Sequence, residues 1–320
     1  MDEDYGMVCI FKKSETMRDN IIDKLPDESE EISTANYDVF PGIRLIYTNV
    51  HVSECNITGE AECSKRRMLE IDHCREGRLE HLGNQQFFYL SAGDIAIHKG
   101  EGIHGGSYYP TRHYHGITIA IDLDEAPKCL SCFLDDVEVS PEHLASRFCA
   151  DRDFFVARST NQLEHIFAEL YHIPEKVKKG YFKIKVLEIL LFLSTFSTAE
   201  AEERVSYTFS QVQLAKDVCR YLVENMDSRT EIDKLAKLFH VSASQLKKCF
   251  RGVYGESIYS YTKELKMKQA AMLLTTTNRT VLDIAGSLGY RNGSKFASAF
   301  CDVMGMRPNE YRQASISEKH

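Results

Sequence analysis

One helical signal occurs twice in the last quarter of the chain, and it limits what that quarter can fold into. In the first copy, Leu235 and Ala236 lie on a short helix, His240-Val241 make a turn, and Ser242 opens a second helix. That helix carries Leu246, Phe250 and Val253 and stops near Gly255. In the second copy, Ile284-Ala285 precede a turn at Gly289-Tyr290. The helix that follows carries Phe296, Ala299, Phe300 and Val303 and stops at Gly305. Apolar residues three and four apart put one face of each helix inward, and a glycine just past the last turn is a helix stop. Helix, tight turn and second helix make the shape of a helix-turn-helix, whose second helix can lie in the DNA major groove.

The spacing of the copies supports that reading. Ser257 to Leu274 separates them, with Ile258, Tyr261, Leu265, Lys268, Met272 and Leu273 at mostly helical spacing. Eighteen residues rising about 1.5 Å each give a rod of roughly 27 Å. Successive major grooves on one face of DNA lie about 34 Å apart. A rod of this size, flanked by two small units, reaches from one groove to the next.

Residues 210 to 312 closely resemble the DNA-binding region of AraC/XylS-type transcription regulators. The matching residues begin with Leu235, Ala236, Ser242, Leu246, Phe250, Gly255, Tyr261, Leu265, Ala270, Leu273 and Leu274. They continue with Ile284, Ala285, Gly289, Tyr290, Ser294, Phe296, Phe300, Gly305, Pro308, Tyr311 and Arg312, and Gly305 to Arg312 is the most specific part. The remaining two thirds resemble the family's sensor half more weakly.

The formal charge of -8 looks wrong for a DNA binder until it is divided. Val205 to Arg312 holds 16 Lys and Arg against 10 Asp and Glu, a net +6, and the remainder carries -14. The basic excess sits where phosphates would be met, and the local field governs that encounter. The longest apolar run, Val186 to Phe196, is too short to span a bilayer, so no membrane partner is expected. An acidic Met1-Asp2-Glu3-Asp4 without a basic, apolar leader predicts a cytoplasmic protein. Ten cysteines then read as reduced thiols. Cys129 and Cys132 form a CxxC pair with no second pair to complete a zinc site.

The fold class predicted is α+β. The first forty residues are polar and mixed, and the acidic run Asp27 to Glu31 reads as exposed. From Ile43 the pattern turns to period two. Ile43, Leu45 and Tyr47 alternate with Arg44, Ile46 and Thr48, and Leu69, Ile71 and His73 alternate with Met68, Glu70 and Asp72. Phe87 to Leu90, Ile95 to Ile97, and Ile117, Ile119 and Ile121 read as further strands. Short strands broken by glycines predict a cupin-like antiparallel β-barrel over residues 1–145. Gly93-Asp94 followed by Ile95, Ile97 and His104 resembles the second half of a cupin motif.

From Pro141 the pattern becomes helical, and residues 146–197 form a helical segment. Its hairpin runs Asn161 to Tyr171 and Lys178 to Phe196, broken at Pro174. The second of these helices is apolar around much of its circumference, more than one core stripe requires. In the family such paired helices often form a dimer interface, so a homodimer is expected. A polar linker, 198–206, leads to the all-α DNA-binding domain at 207–314, two helix-turn-helix units joined by a linker helix.

If Leu246, Phe250 and Val253 face the core, the opposite face carries Ser244, Gln245, Lys247, Lys248 and Arg251, with Ser242 as N-cap. Gln pairs with adenine, and Lys or Arg with guanine or phosphate. By resemblance, Ser244, Lys247 and Lys248 match base-reading positions. The second unit offers Arg291, Asn292, Ser294, Lys295 and Ser298. Many relatives have Arg where Ser298 stands and Lys where Cys301 stands, and Asp302 would repel phosphate. The first unit is therefore the expected main reader.

Seven of the twelve histidines fall between His51 and His115. If the alternating isoleucines point into a barrel, so do His113, His115 and His73. With Tyr47, Arg78, His104 and Tyr109 these form the candidate effector site. A cupin metal site places its His pair before the Gly-Asp turn, and Ser64 to Arg66 holds none. No metal, cofactor or enzymatic activity is expected. The chain reads as a DNA-binding regulator, an activator by family habit. Its partners are double-stranded DNA, a small-molecule effector and RNA polymerase. Two alternatives stay open: a barrel serving only dimerisation or protein contact, and a cupin-type metalloenzyme.

Overall fold

The computed structural model describes residues 8–10, 32–52, 54–55, 66–83, 85–100, 107–130, 139–150, 154–199 and 201–317. They fall into two compact units that part between Thr208 and Phe209. Asp27 to Glu31, His104 and Cys132 lie outside the described residues.

The first unit is built on antiparallel strands. These are β1 (Val8–Ile10), β2 (Ile32–Phe40), β3 (Ile43–Val50), β4 (Glu54–Cys55), β5 (Met68–Gly83), β6 (Gln86–Ser91), β7 (Asp94–Gly100), β8 (Ser107–Tyr108) and β9 (Tyr114–Asp122), followed by β10 (Phe154–Arg158) and β11 (Tyr207–Thr208). The path runs β1-β2-β3-β9-β5-β6-β11, and β5 also pairs with β7 and β8. The period-two signal fixes the alternation: Ile43 and Leu45 are buried while Arg44 between them is exposed. Register then builds rows across strands. Ile43 faces Ile121, which faces Leu69; Leu45 faces Ile119, which faces Ile71. Tyr47 faces Ile117, which faces His73.

Three helices cover these rows: α1 (Pro141–Cys149), α2 (Asn161–Leu170) and α3 (Lys178–Thr195). Leu144, Phe148, Phe167, Phe182, Val186 and Ile189 pack on the isoleucines in one core. At about 25 cal/mol per Å² of apolar surface, this face is where most of the unit's burial free energy is gained. The other face of the sheet encloses Cys74, Leu79, Leu90, Tyr109, Tyr114 and Val156. The isoleucines thus point at helices, not into a barrel, because period two says that a strand has a covered face and not what covers it.

Three other features depart from the sequence expectations. The expected barrel is not closed by the pairings among the described residues, whose path ends at β1 and β11. The polar first forty residues include a nine-residue strand, β2, which buries only Ile32 and Val39 fully and so carries no strong apolar pattern. The segment after Pro141 contains β10, which extends the sheet alongside β7. The polar stretch after α3 is also tied to this unit: Arg158 N–H donates to Glu202 O, Arg204 N–H donates to Val156 O, and the Arg204 guanidinium pairs with buried Asp94.

The second unit is helical. It comprises α4 (Phe209–Glu224), α5 (Ile232–Leu238), α6 (Ala243–Tyr254), α7 (Ile258–Thr276), α8 (Val281–Ser287), α9 (Gly293–Met304) and α10 (Pro308–Ser317). Helix α4, which the repeat does not include, buries Val212, Ala215, Val218, Cys219 and Leu222. The second half has its own core of Met267, Ala270, Leu274, Ile284, Leu288, Phe296 and Phe300. No helix among the described residues is long and apolar enough to cross a membrane.

Candidate nucleic-acid interface

Helix α6 starts and stops where its sequence directs. The Ser242 hydroxyl accepts the Gln245 N–H at 3.1 Å, satisfying one of the orphan donors of the first turn. Gly255 ends the helix in the left-handed conformation, φ 82°, where a side chain would be strained. Leu246, Cys249, Phe250, Val253 and Tyr254 are buried. That leaves Ser244, Gln245, Lys247, Lys248 and Arg251 exposed on the other side. A groove of about 710 Å³ lies beside the N-terminus of α6, lined by Asp233, Lys237, His240, Ser242 and Gln245 among others. Lys237 and His240 were not candidates from sequence; the basic end of the first helix and its turn were the available signal.

Helix α9 is framed in the same way. Asn292 caps it, its Oδ1 accepting the N–H groups of Ser294 at 2.9 Å and Lys295 at 3.1 Å. Gly305 closes it at φ 76°. Phe296 and Phe300 are buried, and Arg291, Ser294, Lys295 and Ser298 are exposed. Asp302, the acid expected to repel phosphate, is paired with Lys263 of α7 at 2.9 Å. Helix α8 has a capping box between Thr280 and Asp283, and that hydrogen bonding holds the Asp283 carboxyl below its ordinary range.

Helix α7 joins the two. Its 19 residues make a rod of about 28 Å. Arg312 fastens its end, donating from Nε to Leu274 O at 3.2 Å and from Nη2 to Arg279 O at 2.6 Å. Burial pushes the Lys266 ammonium pKa down; its Nζ donates to Ser228 O at 2.8 Å.

The candidate effector residues among those described do not gather in one place. Tyr47 lies under the helices, its hydroxyl donating to Leu170 O at 2.7 Å. His73 stacks on Phe167 at 4.2 Å and meets Glu164 at 2.9 Å. Both belong to the helix-covered side. Tyr109 is buried in the enclosed core, and Arg78 contacts the Ser91 hydroxyl and lies over the Tyr89 ring. His113 and His115 stand near the end of β9 with His51 and Glu76. Burial, then His113, lowers the His115 pKa.

A second polar cluster escaped the sequence reading. Asp72 accepts from Thr118 Oγ1 at 2.5 Å and lies 2.8 Å from His98 Nε2, with His81 at 3.4 Å. Burial opposes charge at Asp72, but the two histidines overcome it and hold the carboxyl well below the usual range. Burial would also lower His98, yet Asp72 pushes it up to about 9. The registers of β5 with β7 and with β9 bring these residues together, and no sequence spacing announces them.

A domain with two helix-turn-helix segments, each ending in a polar helix face, belongs to the DNA-binding helical class. A family model described as a helix-turn-helix domain matches residues 235–314. The regulatory protein SoxS of Escherichia coli (strain K12) is 30% identical over 103 residues, covering 32% of this chain and 96% of SoxS. The uncharacterized HTH-type transcriptional regulator YisR of Bacillus subtilis (strain 168) is 28% identical over 164 residues, 51% of this chain and 52% of that protein. The match thus spans about half the length of YisR. The solved C-terminal domain of AraT, a response regulator from Geobacillus stearothermophilus, aligns at 25% identity and TM-score 0.31, covering 32% of this chain and 84% of that one. The chain belongs to the AraC family of transcriptional regulators.

Proposed function

We propose that this chain is a sequence-specific DNA-binding transcriptional activator in which α6 reads bases and α9 adds weaker contacts in the neighbouring groove. One observation carries the reading: Ser244, Gln245, Lys247, Lys248 and Arg251 share the exposed face of a helix whose other face is buried and whose two ends are capped. Such a face offers fixed hydrogen-bond donors to base edges and phosphates. The roughly 28 Å of α7 suits two adjacent grooves.

A small-molecule effector acting through the N-terminal unit controls this reader in our proposal, by binding two states of the protein with different affinity. A homodimer formed through α3 accords with the exposure of Ile184 and Phe192 on a helix already packed through Phe182, Val186 and Ile189. RNA polymerase is the remaining proposed partner.

The test is binding to the DNA upstream of the genes beside this one, by anisotropy. Lys248→Ala is expected to lower affinity at least tenfold and relax base preference at one position. Unchanged affinity and preference would overturn the assignment of α6 as the reader.

A further inference from the structure

Two strands end side by side in the first unit. His115 of β9 lies opposite Asn49 of β3 and opposite Glu76 of β5. Carried two residues on, the same antiparallel register sets His51 opposite His113, and cross-strand neighbours of this kind place side chains within reach. The rings are close: centroids lie 5.1 Å apart for His51 and His113, 5.4 Å for His51 and His115, and 4.4 Å for His113 and His115.

The orientation of the rings is more telling than their proximity. His113 turns Nδ1 to His51, at 3.4 Å, and Nε2 to Glu76 Oε2, at 3.3 Å. His115 turns Nε2 to His51, at 3.5 Å, and Nδ1 to the same Glu76 oxygen, at 3.7 Å. Glu76 Oε1 lies 3.5 Å from Arg75 Nε, and the Arg75 guanidinium rests over Tyr171. The carboxylate therefore draws the N–H of His113 to Nε2, which leaves the Nδ1 lone pair of that ring turned to His51. At 3.7 Å the same oxygen is beyond hydrogen-bond reach of His115 Nδ1. The separations of 3.4 and 3.5 Å are also long for a hydrogen bond, whose usual length is about 2.9 Å. One reaches Nδ1 of His51 and the other Nε2, so the two rings flank His51 on both of its nitrogens.

We infer that His51, His113 and His115 form a binding site for a divalent transition-metal cation, with Glu76 as the carboxylate that orients the His113 imidazole. One nitrogen from each ring, all within 4.8 Å of one another, is available as ligand. His51 presents a different nitrogen to each neighbour, so closure on one ion takes a rotation of its half-buried ring. Imidazole donors select zinc, nickel, copper or iron over magnesium or calcium. A carboxylate behind the ligating ring is the usual outer partner of a metal-bound histidine. The frame behind the ligands is already set. The His113 carbonyl accepts from Arg78 N–H at 3.2 Å and Thr111 Oγ1 at 2.9 Å. A Cβ on Gly77, at φ 80°, would sit 1.8 Å from that oxygen. The Asp72, His81 and His98 group is a weaker candidate, because Thr118 and His98 already occupy its carboxylate.

The site rests on the N-terminal unit's geometry alone, so its failure leaves the DNA-binding reading standing. The test is Zn²⁺ titration of the full chain by calorimetry, with the zinc X-ray absorption edge recorded on the loaded protein. One Zn²⁺ per chain with three imidazole ligands is expected. His51→Gln, His113→Ala and His115→Ala should each weaken binding more than tenfold, Glu76→Gln by about tenfold or more, and exposed His165→Ala not at all. His51 is half-exposed, so His51→Gln is expected to keep the fold, checked by circular dichroism. No stoichiometric zinc, zinc bound through carboxylates, or binding unaffected by His51→Gln in a folded protein would each overturn the site. So would three histidines that titrate as a coupled set while zinc stays free.

Discussion

Lys263 of α7 and Asp302 of α9 form an ion pair at 2.9 Å, across 39 residues of sequence. The one acid on the second recognition helix is therefore partly neutralised by the helix that connects it to the first. This alters what Asp302 costs a DNA complex: its charge is shared before any phosphate approaches.

Asp302→Ala accordingly changes stability by under about 1 kcal/mol, because an exposed pair contributes little in water. It releases Lys263 and removes an anion, so operator affinity rises several-fold at low salt and less at high salt. Anisotropy titrations at two salt concentrations check this; a fall in affinity at low salt would show that Asp302 makes a favourable contact.

Ser242 and Asn292 were both candidates for reading DNA, and both cap helices. Replacing either by alanine costs about 1 kcal/mol through the lost cap. Thermal unfolding should show this loss without DNA. If DNA affinity falls only in proportion to it, capping is the whole role of these side chains.

Gly289 and Gly286 test the second turn as a pair. Gly289 has φ 78°, and a Cβ there would meet Asp227 O at 2.4 Å. Gly286 lies within α8, and its Cβ would meet nothing within 4 Å. Gly289→Ala is expected to destabilise the domain by roughly 2 kcal/mol or more, from strain and backbone contact. Gly286→Ala is expected to be neutral or to stabilise by up to about 1 kcal/mol, since alanine is the better helix former. Denaturant midpoints measured side by side decide it.

The Asp72–His98 pair predicts a pH dependence of the first unit. His98 is pushed up to about 9, above its ordinary 6.5, so its contribution is fully present below 6.5 and is lost as pH rises through about 9. The unfolding midpoint of this unit should therefore fall between pH 7 and pH 10. Asp72→Asn removes the charge that raises His98 and should abolish that fall. His98→Ala leaves the buried carboxylate with Thr118 and the more distant His81 and costs up to roughly 3–5 kcal/mol at neutral pH. A wild-type midpoint that holds steady from pH 7 to pH 10 would contradict the pair's assigned role.

Local features were legible before any tertiary structure. The capped helices α6 and α9, the strands β3, β5, β6, β7 and β9, and the break at Pro174 depend on neighbours within a few positions. Spacing, cap residues and glycine stops therefore specify them. Helix α4 and strand β2 were less visible: β2 carries little apolar patterning, and α4 lies outside the repeat.

Sequence by itself determined the class of the C-terminal half, because a helix-turn-helix is written in contacts three and four residues apart. Tertiary structure alone decided which face of the alternating strands the helices cover. It set Asp302 beside Lys263 and His98 beside Asp72. It also brought His51 to His113 across 62 residues. The physical reason is register: a period of two marks that a strand has two faces, and only the partner strand says what each side chain meets there.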